Sequence, residues 1–304
     1  MSTSSVKSSG LGLPDWERDA LDARNAKRCG AEMPVTRIQS KSDWQAIDFA
    51  ELYVYRDLFR YLVRREIKVR YAQSAIGVGW AILQPLFTML VFTVIFGRLA
   101  KVGSDGAPYA LFSFAGLVPW MFFSNAVTDG VNGLIGGASM MSKVYFPRMF
   151  MPLAANAARL IDFGVASIVM AGLMVWYGVL PNAGVLALPW ILAMMFLTAS
   201  GVTLWLSTFA IQYRDVKHAM GFVVQILMYA APVVYPASLI PEAYQRVYAI
   251  NPMVGVIEGL RSGWLGTRVL PWDLLLIGSV SAILLFVTGV SYFNAKQRVF
   301  ADLA

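Results

Sequence analysis

The stretch of sequence that decides the fold runs from residue 163 to residue 213. It reads FGVASIVMAGLMVWYGVLPNAGVLALPWILAMMFLTASGVTLWLSTFAIQY and contains no Asp, Glu, Lys or Arg. A helix needs ~20 apolar residues to cross the ~30 Å hydrocarbon core of a bilayer. This stretch is long enough for two such helices, and residues 178–184, which contain Gly and Pro, can form the turn between them. The sequence therefore predicts an integral membrane protein.

Three more charge-free runs lie on either side of it, at residues 72–97, 219–241 and 274–295. Only 14% of all residues are charged, whereas a soluble domain typically carries about 25%. Together with an apolar stretch near residue 120, these runs predict an all-α integral membrane fold with six transmembrane helices. The predicted spans, within a membrane domain of residues 77–304, are residues 78–99, 109–131, 153–177, 185–211, 219–235 and 274–295.

The basic residues that flank these spans are distributed unevenly between the two sides of the membrane. With the N-terminus inside, residues 56–70, 143–148, 214–217 and 296–298 place most of the Lys and Arg residues on the inner side. Positively charged loops are typical of the cytoplasmic side. We therefore expect both termini to be cytoplasmic, which requires an even number of spans. The same rule explains the net charge of +7 without a nucleic-acid partner.

The N-terminal part of the chain has two sections. Residues 1–50 are polar, lack the apolar core of a signal peptide, and are expected to form a largely disordered cytoplasmic tail. Residues 51–76 differ, because basic residues recur every four positions and so share one helix face, while apolar residues cover much of the other; the basic residues are Arg56, Arg60, Arg64 and Lys68. This pattern predicts an amphipathic interface helix that rests on lipid headgroups, on a partner protein or on both.

The segment between the fifth and sixth predicted spans is apolar but broken. Pro236, Pro241 and Pro252 divide residues 236–266 into pieces that are too short to cross a bilayer. Short helices at this depth are tolerated where protein or a water-filled cavity surrounds them. We therefore expect short re-entrant or interfacial helices on the outer side of the membrane.

The sequence contains no motif for catalysis or nucleotide binding. It has no GxxxxGK[ST] loop, which would cradle nucleotide phosphates, and no HExxH zinc motif. Cys29 and His218 are the only residues of their kinds. We expect no catalytic residue, no bound metal and no cofactor on this chain. Arg159 and Asp162, which lie three residues apart in the third span, can form an ion pair on one helix face.

Two groups of residues are candidates for contacts with other molecules. Aromatic side chains can line a pore for sugar rings, because the apolar faces of the sugars stack on them. Aromatic belts at the membrane interface are the alternative explanation. The candidates for the pore lining are Trp80, Phe87, Phe112, Trp120 and Phe123. The inner loops at residues 143–148 and 213–218 combine aromatic and basic residues. They are either solvated loops or docking elements for a partner that drives the helices from the cytoplasm.

Four separated motifs resemble those of a known transporter family. They are Arg70-Tyr-Ala-Gln-Ser-Ala-Ile-Gly-Val-Gly-Trp-Ala-Ile-Leu-Gln-Pro-Leu86, Lys143-Val-Tyr-Phe-Pro-Arg148, Tyr213-Arg-Asp-Val-Lys-His218, and Asn251-Pro-Met with Val256-Ile-Glu-Gly-Leu-Arg261. From about residue 52 to the end, the chain resembles the permease subunits of type 2 ABC exporters for polysaccharides. O-antigen permeases are the most similar in character, and permeases for capsule and teichoic acid are near relatives.

The resemblance implies a homodimer of six-span subunits in the bacterial inner (cytoplasmic) membrane. It also implies two copies of a cytoplasmic ABC ATPase, which binds ATP and Mg²⁺, and a polysaccharide carried on undecaprenyl pyrophosphate. Coupling to the ATPase would involve Lys143, Tyr145, Phe146, Arg148, Tyr213, Arg214, Asp215, Lys217 and His218. Residues 236–266 would form outer gate helices, and the candidate gate residues are Tyr235, Asn251, Pro252, Glu258 and Arg261.

The basic face of the interface helix gains a further role from this resemblance. Arginine is well suited to phosphate groups because its guanidinium can donate two parallel hydrogen bonds. The pyrophosphate of the lipid carrier could therefore be received by Arg64, Arg65, Lys68 and Arg70. Binding of anionic membrane lipid alone is the alternative.

Three other functions compete with polysaccharide export. A small-molecule ABC permease would share the same fold. An ion-coupled transporter would show acidic residues near the membrane midplane or a half-repeat symmetry, and neither is clear in this sequence. A membrane-embedded transferase would show clustered acidic or His residues, which the sequence lacks.

Overall fold

The computed structural model describes residues 53–72, 76–137, 146–213, 215–266 and 269–296. Helices are the only regular secondary structure in these ranges. The α-helices of the described part are α1 Arg56–Tyr71, α2 Trp80–Phe92, α3 Tyr109–Gly136, α4 Phe150–Tyr177, α5 Leu188–Gln212, α6 Asp215–Tyr229, α7 Glu242–Tyr248, α8 Pro252–Leu265 and α9 Trp272–Lys296. The predicted tail of residues 1–50 and the predicted coupling residues Lys143, Tyr145 and Arg214 lie outside the described residues.

Five helical stretches in the described part are long and apolar enough to cross a membrane. α2 belongs to the first of them, with a 3₁₀ turn before it and a π-helical segment after it. The five stretches are Gly77–Leu99, Tyr109–Gly136, Phe150–Tyr177, Ala183–Gln212 and Trp272–Lys296. They coincide with five of the six predicted spans, with small differences at their ends. The prediction of a helical, multi-pass membrane protein is thereby confirmed.

The remaining predicted span, residues 219–235, has a different structure. α6 ends at Tyr229, and the chain then turns instead of continuing as a helix. Pro232 gives the physical reason, because proline lacks a backbone donor and disfavours helical geometry at the preceding residue. The 15 residues of α6 form a helix ~22 Å long, which is shorter than the ~30 Å hydrocarbon core. A total of six spans therefore stays a prediction.

α3 forms the centre of the bundle. α2, α4, α5 and α8 all pack against it. In its most apolar 18 residues, 83% of the residues are buried, compared with 11% in the stretch that contains α2. Small residues permit the close packing, since a Cβ at Gly130 would collide with Thr203 on α5 and with Asn156 on α4. α3 therefore organises the fold, whereas α2 presents most of its apolar surface outward.

α1 packs across one end of the bundle, which we call the α1 end. Its Phe59 ring meets Phe150 at the start of α4 edge-on, with 5.2 Å between the ring centroids. Leu62 is 1% exposed and belongs to an apolar cluster with Phe293, which lies near the end of α9. The basic side chains at residues 56, 60, 64 and 68 are exposed. α1 therefore has the two different faces that its sequence pattern predicted.

The segment between α6 and α9 lies at the opposite end, which we call the α8 end. It contains a 3₁₀ turn at Ala237–Leu239, the short helix α7 and then α8. Every residue of α8 is buried, including Glu258 and Arg261. Short helices are thus present where the proline pattern predicted them, while their action as a gate stays a prediction.

Candidate functional site

Four charged residues form a closed ion cluster beside the α1 end. Arg70 Nη2 lies 2.6 Å from Asp129 Oδ2, and Arg70 Nη1 lies 3.5 Å from Asp162 Oδ2. Arg159 reaches the same two carboxylate oxygens at 2.7 and 2.8 Å. Each arginine therefore bridges both aspartates. This ion cluster joins α1, α3 and α4, and its four formal charges cancel.

Tyr71 completes the attachment of α1 to the bundle. Its hydroxyl donates a hydrogen bond to Asp162 Oδ1. Burial, followed by this hydrogen bond, raises the pKa of Tyr71 to about 12, so the hydroxyl keeps its proton at neutral pH. The four charged side chains of the ion cluster are only 16–28% exposed, so solvent screens them less than it screens surface pairs. The cluster fixes the point where the chain leaves α1.

One part of the ion cluster was predicted from sequence and one part was missed. The Arg159–Asp162 pair has the predicted three-residue spacing. The contact of Arg70 with Asp129 was missed, because it joins residues 59 positions apart. A signal was present in the sequence, since Asp129 is the one charged residue in the predicted span 109–131. A lone carboxylate in an apolar helix requires a partner.

The four basic residues predicted to receive a pyrophosphate do not lie together. Arg70 is held in the ion cluster, and Arg65 pairs with Glu66 at 2.8 Å. Arg64 and Lys68 are exposed on another face of α1. A cavity of about 210 Å³ opens beside the ion cluster, and its lining includes residues 70, 80, 84, 125 and 159. Any anion at the α1 end therefore meets an exposed basic face on α1 and, separately, arginines that are already paired with aspartates.

The predicted coupling residues in the described part fall into two groups. Phe146 is 4% exposed and packs in the same apolar cluster as Leu62, so it anchors the loop before α4 beneath α1. Arg148 follows at the start of the turn into α4. The second group follows α5 and is exposed at the α1 end, where it offers an accessible charged surface; its residues are Tyr213, Asp215, Lys217 and His218.

The aromatic residues predicted to line a pore also fall into two groups. Phe112, Trp120 and Phe123 are at most 4% exposed and pack inside this subunit, with 5.2 Å between the rings of the last two. Trp80 and Phe87 are 54% and 60% exposed on the outward face of the α2 stretch. Of the five predicted pore residues, Trp80 and Phe87 are therefore the two that this subunit leaves accessible to another molecule.

At the α8 end, Arg261 ties several segments together. Its Nη2 donates to the carbonyl oxygen of Val233 at 2.6 Å, its Nη1 to that of Tyr235 at 3.3 Å, and its Nε to that of Phe112 at 3.3 Å. The guanidinium carbon also lies 3.7 Å from the centroid of the Phe112 ring. A glycine at position 116 makes room, because a Cβ at Gly116 would collide with the guanidinium.

Glu258 lies three residues before Arg261 and is its buried counter-charge. The Oε1 atom of Glu258 lies 3.1 Å from Arg261 Nη1 and accepts a hydrogen bond from the N–H of Ala237 at 3.1 Å. Asn251 caps the first turn of α8 with its side-chain oxygen, and Pro252 occupies the first helical position. Of the residues predicted for a gate, Tyr235, Glu258 and Arg261 thus lie close together, whereas Asn251 and Pro252 stand at the start of α8. The Arg261 cluster is defined here as Phe112, Val233, Tyr235, Ala237, Glu258 and Arg261.

The sequence of the chain was compared with models of known protein families. The model of the ABC-2 type transporter family matches residues 57–265, which extend from α1 to the end of α8. The chain belongs to the ABC-2 type transporter family. The ion cluster and the Arg261 cluster both lie inside the part that matches this ABC-2 model, whereas α9 lies outside it.

Curated relatives of this ABC-2 chain include polysaccharide transport proteins. The O-antigen export system permease protein RfbA of Myxococcus xanthus is 29% identical over 255 residues, which cover 83% of this chain and 97% of the relative. An RfbA protein of Klebsiella pneumoniae is 26% identical over 248 residues, covering 81% and 95%. The polysialic acid transport protein KpsM of Escherichia coli is 24% identical over 204 residues, covering 65% and 77%. The family resemblance indicated by the four motifs is thereby confirmed.

Proposed function

We propose that this chain is the transmembrane subunit of an ATP-driven exporter that moves a lipid-linked, O-antigen-like polysaccharide across the bacterial inner membrane. The observation that carries the proposal is the similarity to O-antigen export permeases over nearly their whole length. Because the sequence has no nucleotide-binding loop, ATP and Mg²⁺ would be bound by a separate ATPase. The similarity to a polysialic acid transport protein supports an acidic polysaccharide as the second candidate cargo.

Six crossings result if α6 and the turn after it are counted as one passage. α5 ends near the apolar cluster of the α1 end, and α6 begins three residues later. After the turn, the carbonyl oxygen of Val234 accepts a hydrogen bond from the Tyr109 hydroxyl at the start of α3. These contacts support passage from one end of the bundle to the other. The positive-inside rule then makes the α1 end and both termini cytoplasmic and the α8 end outer.

Two copies of a cytoplasmic ABC ATPase would dock at the α1 end. The exposed start of α6, with Asp215, Lys217 and His218, would provide one contact. α1 would provide another, and the ion cluster would carry its movement directly to α3 and α4. Phe146 would transmit force in the same way, because it packs beneath α1.

The pyrophosphate of an undecaprenyl carrier would approach the α1 end from the inner leaflet. Arg64 and Lys68 are exposed there and would make the first contact. Arg70 and Arg159 line the neighbouring cavity, but Asp129 and Asp162 neutralise them. An arriving pyrophosphate would therefore compete with the two aspartates for the arginines. Anionic membrane lipids are the competing ligands for the exposed residues.

A homodimer would cover the apolar faces that this subunit leaves exposed. α2 exposes Phe87, and α6 exposes Phe222 and Ile226, which are 67% and 50% exposed. Both faces point away from the bundle of this subunit. Two such faces would enclose a path for the polymer, with Trp80 and Phe87 as stacking surfaces for sugar rings.

Co-purification tests the dependence on an external ATPase. The chain is co-expressed with a candidate ABC ATPase of the same host, and a complex of two copies of each subunit is expected. ATP hydrolysis by the purified chain alone would contradict the proposal. Lys217→Glu should lower the amount of ATPase recovered, because it reverses a charge at the proposed contact. Lys101→Glu is the matched control, since Lys101 is exposed in the loop between α2 and α3.

A further inference from the structure

A larger cavity lies at the α8 end, and the proposed polymer path along α2 does not use it. Its volume is about 800 Å³, which lies within the ~300–1,000 Å³ that is typical of small-molecule sites. Its walls come from α7, α8, the start of α9 and the loop before α3. We call it the α8 cavity. A space of this size at one end of a transport subunit can hold several linked small units.

One oxygen of Glu258 is available to a ligand in this cavity. Both hydrogen bonds of the Glu258 side chain end on Oε1, and Oε2 has no partner among the described residues. The side chain is only 8% exposed. In the described part, Ser207 Oγ is the one side-chain oxygen or nitrogen that is both fully enclosed and without a hydrogen-bond partner, and Glu258 Oε2 is not such an atom. Glu258 Oε2 must therefore be accessible, and the space that Glu258 lines is the α8 cavity.

The rest of the cavity lining favours a ligand with many hydroxyl groups. Among the described lining residues, Asp105, Glu242 and Asp273 add carboxylates to that of Glu258, while the arginines are Arg246 and Arg261. The excess of carboxylates disfavours an anionic ligand. Among the described residues, no group of three or more His, Cys, Asp or Glu side chains is placed to hold a metal ion. Hydroxyl groups, which donate to carboxylates and accept from arginines, satisfy both kinds of residue.

Trp272 supplies an oriented apolar surface in the same cavity. Its ring is 53% exposed and stacks on Trp190, with 5.8 Å between the ring centroids and 27° between the planes. The stacking fixes the ring and leaves part of it accessible in the cavity wall. A pyranose ring combines hydroxyl groups at its edge with an apolar C–H face, so it matches both the carboxylates and the tryptophan.

We propose that the α8 cavity is a glycan-binding site that holds a short segment of the exported polymer on the outer side of the membrane. Glu258 Oε2 accepts a hydrogen bond from a sugar hydroxyl, and Trp272 stacks on one sugar ring. This inference rests on the proposed polysaccharide export, which brings glycan to the α8 end. A segment held there cannot slip back while the ATPases reset.

Photo-crosslinking in exporting cells tests this site in the complete complex. The photoreactive residue p-benzoyl-phenylalanine replaces Gln245, which lines the cavity, or Val175, which is 83% exposed at the end of α4 and serves as the control. After irradiation, the purified chain is probed with antiserum against the polysaccharide of the host. A glycan adduct is expected at position 245 and not at position 175.

A second pair of variants links the adduct to the tryptophan. Trp272→Ala should lower the yield of the glycan adduct at position 245 roughly threefold to tenfold, because one stacking contact is lost. Trp176→Ala, at an 85% exposed position on α4, should leave the yield unchanged.

The outcomes separate this inference from the proposed function. Normal surface polysaccharide without an adduct at position 245 would overturn the glycan site alone, as would an adduct with phospholipid in place of glycan. Equal yields in the Trp272→Ala variant and the unmodified chain would also overturn it. Surface polysaccharide that does not depend on this chain at all would overturn the proposed function itself.

Discussion

Arg261→Met should lower the free energy of unfolding by about 3–5 kcal/mol, the usual cost of removing one partner of a buried ion pair. The change keeps an unbranched apolar stem but removes the guanidinium, so it leaves Glu258, which is 8% exposed, as a buried charge without its cation. It also removes the donors to the carbonyl oxygens of Phe112, Val233 and Tyr235. Both losses come from the same side chain, so their free-energy costs are not additive.

A second substitution separates the unpaired charge from the unpaired carbonyl groups. Glu258→Gln in the Arg261→Met background removes the charge, so part of the stability should return. The carbonyl groups would still lack donors, so the double variant should remain about 1–3 kcal/mol less stable than the unmodified chain. Arg60→Met is the matched control, because its pair with Asp57 has side chains that are 69% and 76% exposed. Exposed pairs of this kind contribute ~0–1 kcal/mol.

Thermal unfolding of the purified variants in one detergent provides the measurement. The midpoint should be highest for the unmodified chain and Arg60→Met, intermediate for the double variant and lowest for Arg261→Met. An Arg261→Met variant as stable as the unmodified chain would refute the view that this cluster holds the α8 end together. A double variant no more stable than the single variant would show that the unpaired charge is not the main loss.

Two further predictions concern packing and the ion cluster. Gly116→Ala should sharply reduce the yield of folded protein in size-exclusion chromatography, because the new Cβ collides with the guanidinium of Arg261. Gly164→Ala is the control, since a Cβ at that position meets nothing within 4 Å. Equal yields of the two variants would contradict the packing described. Asp129→Asn should speed hydrogen–deuterium exchange in α1, since it weakens the ion pair of Arg70 that ties this helix to α3. Asp57→Asn on the exposed face of α1 should have little effect, and unchanged exchange in both variants would mean that the apolar contacts alone hold α1.

The positions of the long helices could be predicted because a bilayer imposes a simple rule on the sequence. A helix that crosses the hydrocarbon core must be apolar over ~20 residues, and the charge-free runs at residues 163–213 and 274–295 marked Ala183–Gln212 and Trp272–Lys296 accordingly. α6 is an exception to this rule. Residues 219–235 are apolar enough for a span, but Pro232 ends the regular helix by a local backbone effect that hydropathy does not register.

The candidate site was predictable only where helix geometry brings residues together. The Arg159–Asp162 pair follows from its spacing of three residues. The contact of Arg70 with Asp129 depends on which helices are neighbours, and periodicity within one helix does not determine that. Aromatic residues show the same limit, because a ring such as Phe112 suits both a pore wall and a core. The burial of Phe112 follows from the packing of α3 at the centre of the bundle, which the sequence alone does not show.

The most direct test of the proposed function is to delete the gene for this chain and to follow the polysaccharide. We predict that the host still synthesises the lipid-linked polymer, that the polymer accumulates inside the cell, and that none reaches the surface. A plasmid that encodes the chain should restore surface polysaccharide, whereas it should not do so when the partner ATPase carries an inactive nucleotide site. Unchanged surface polysaccharide in the deletion strain would contradict the account.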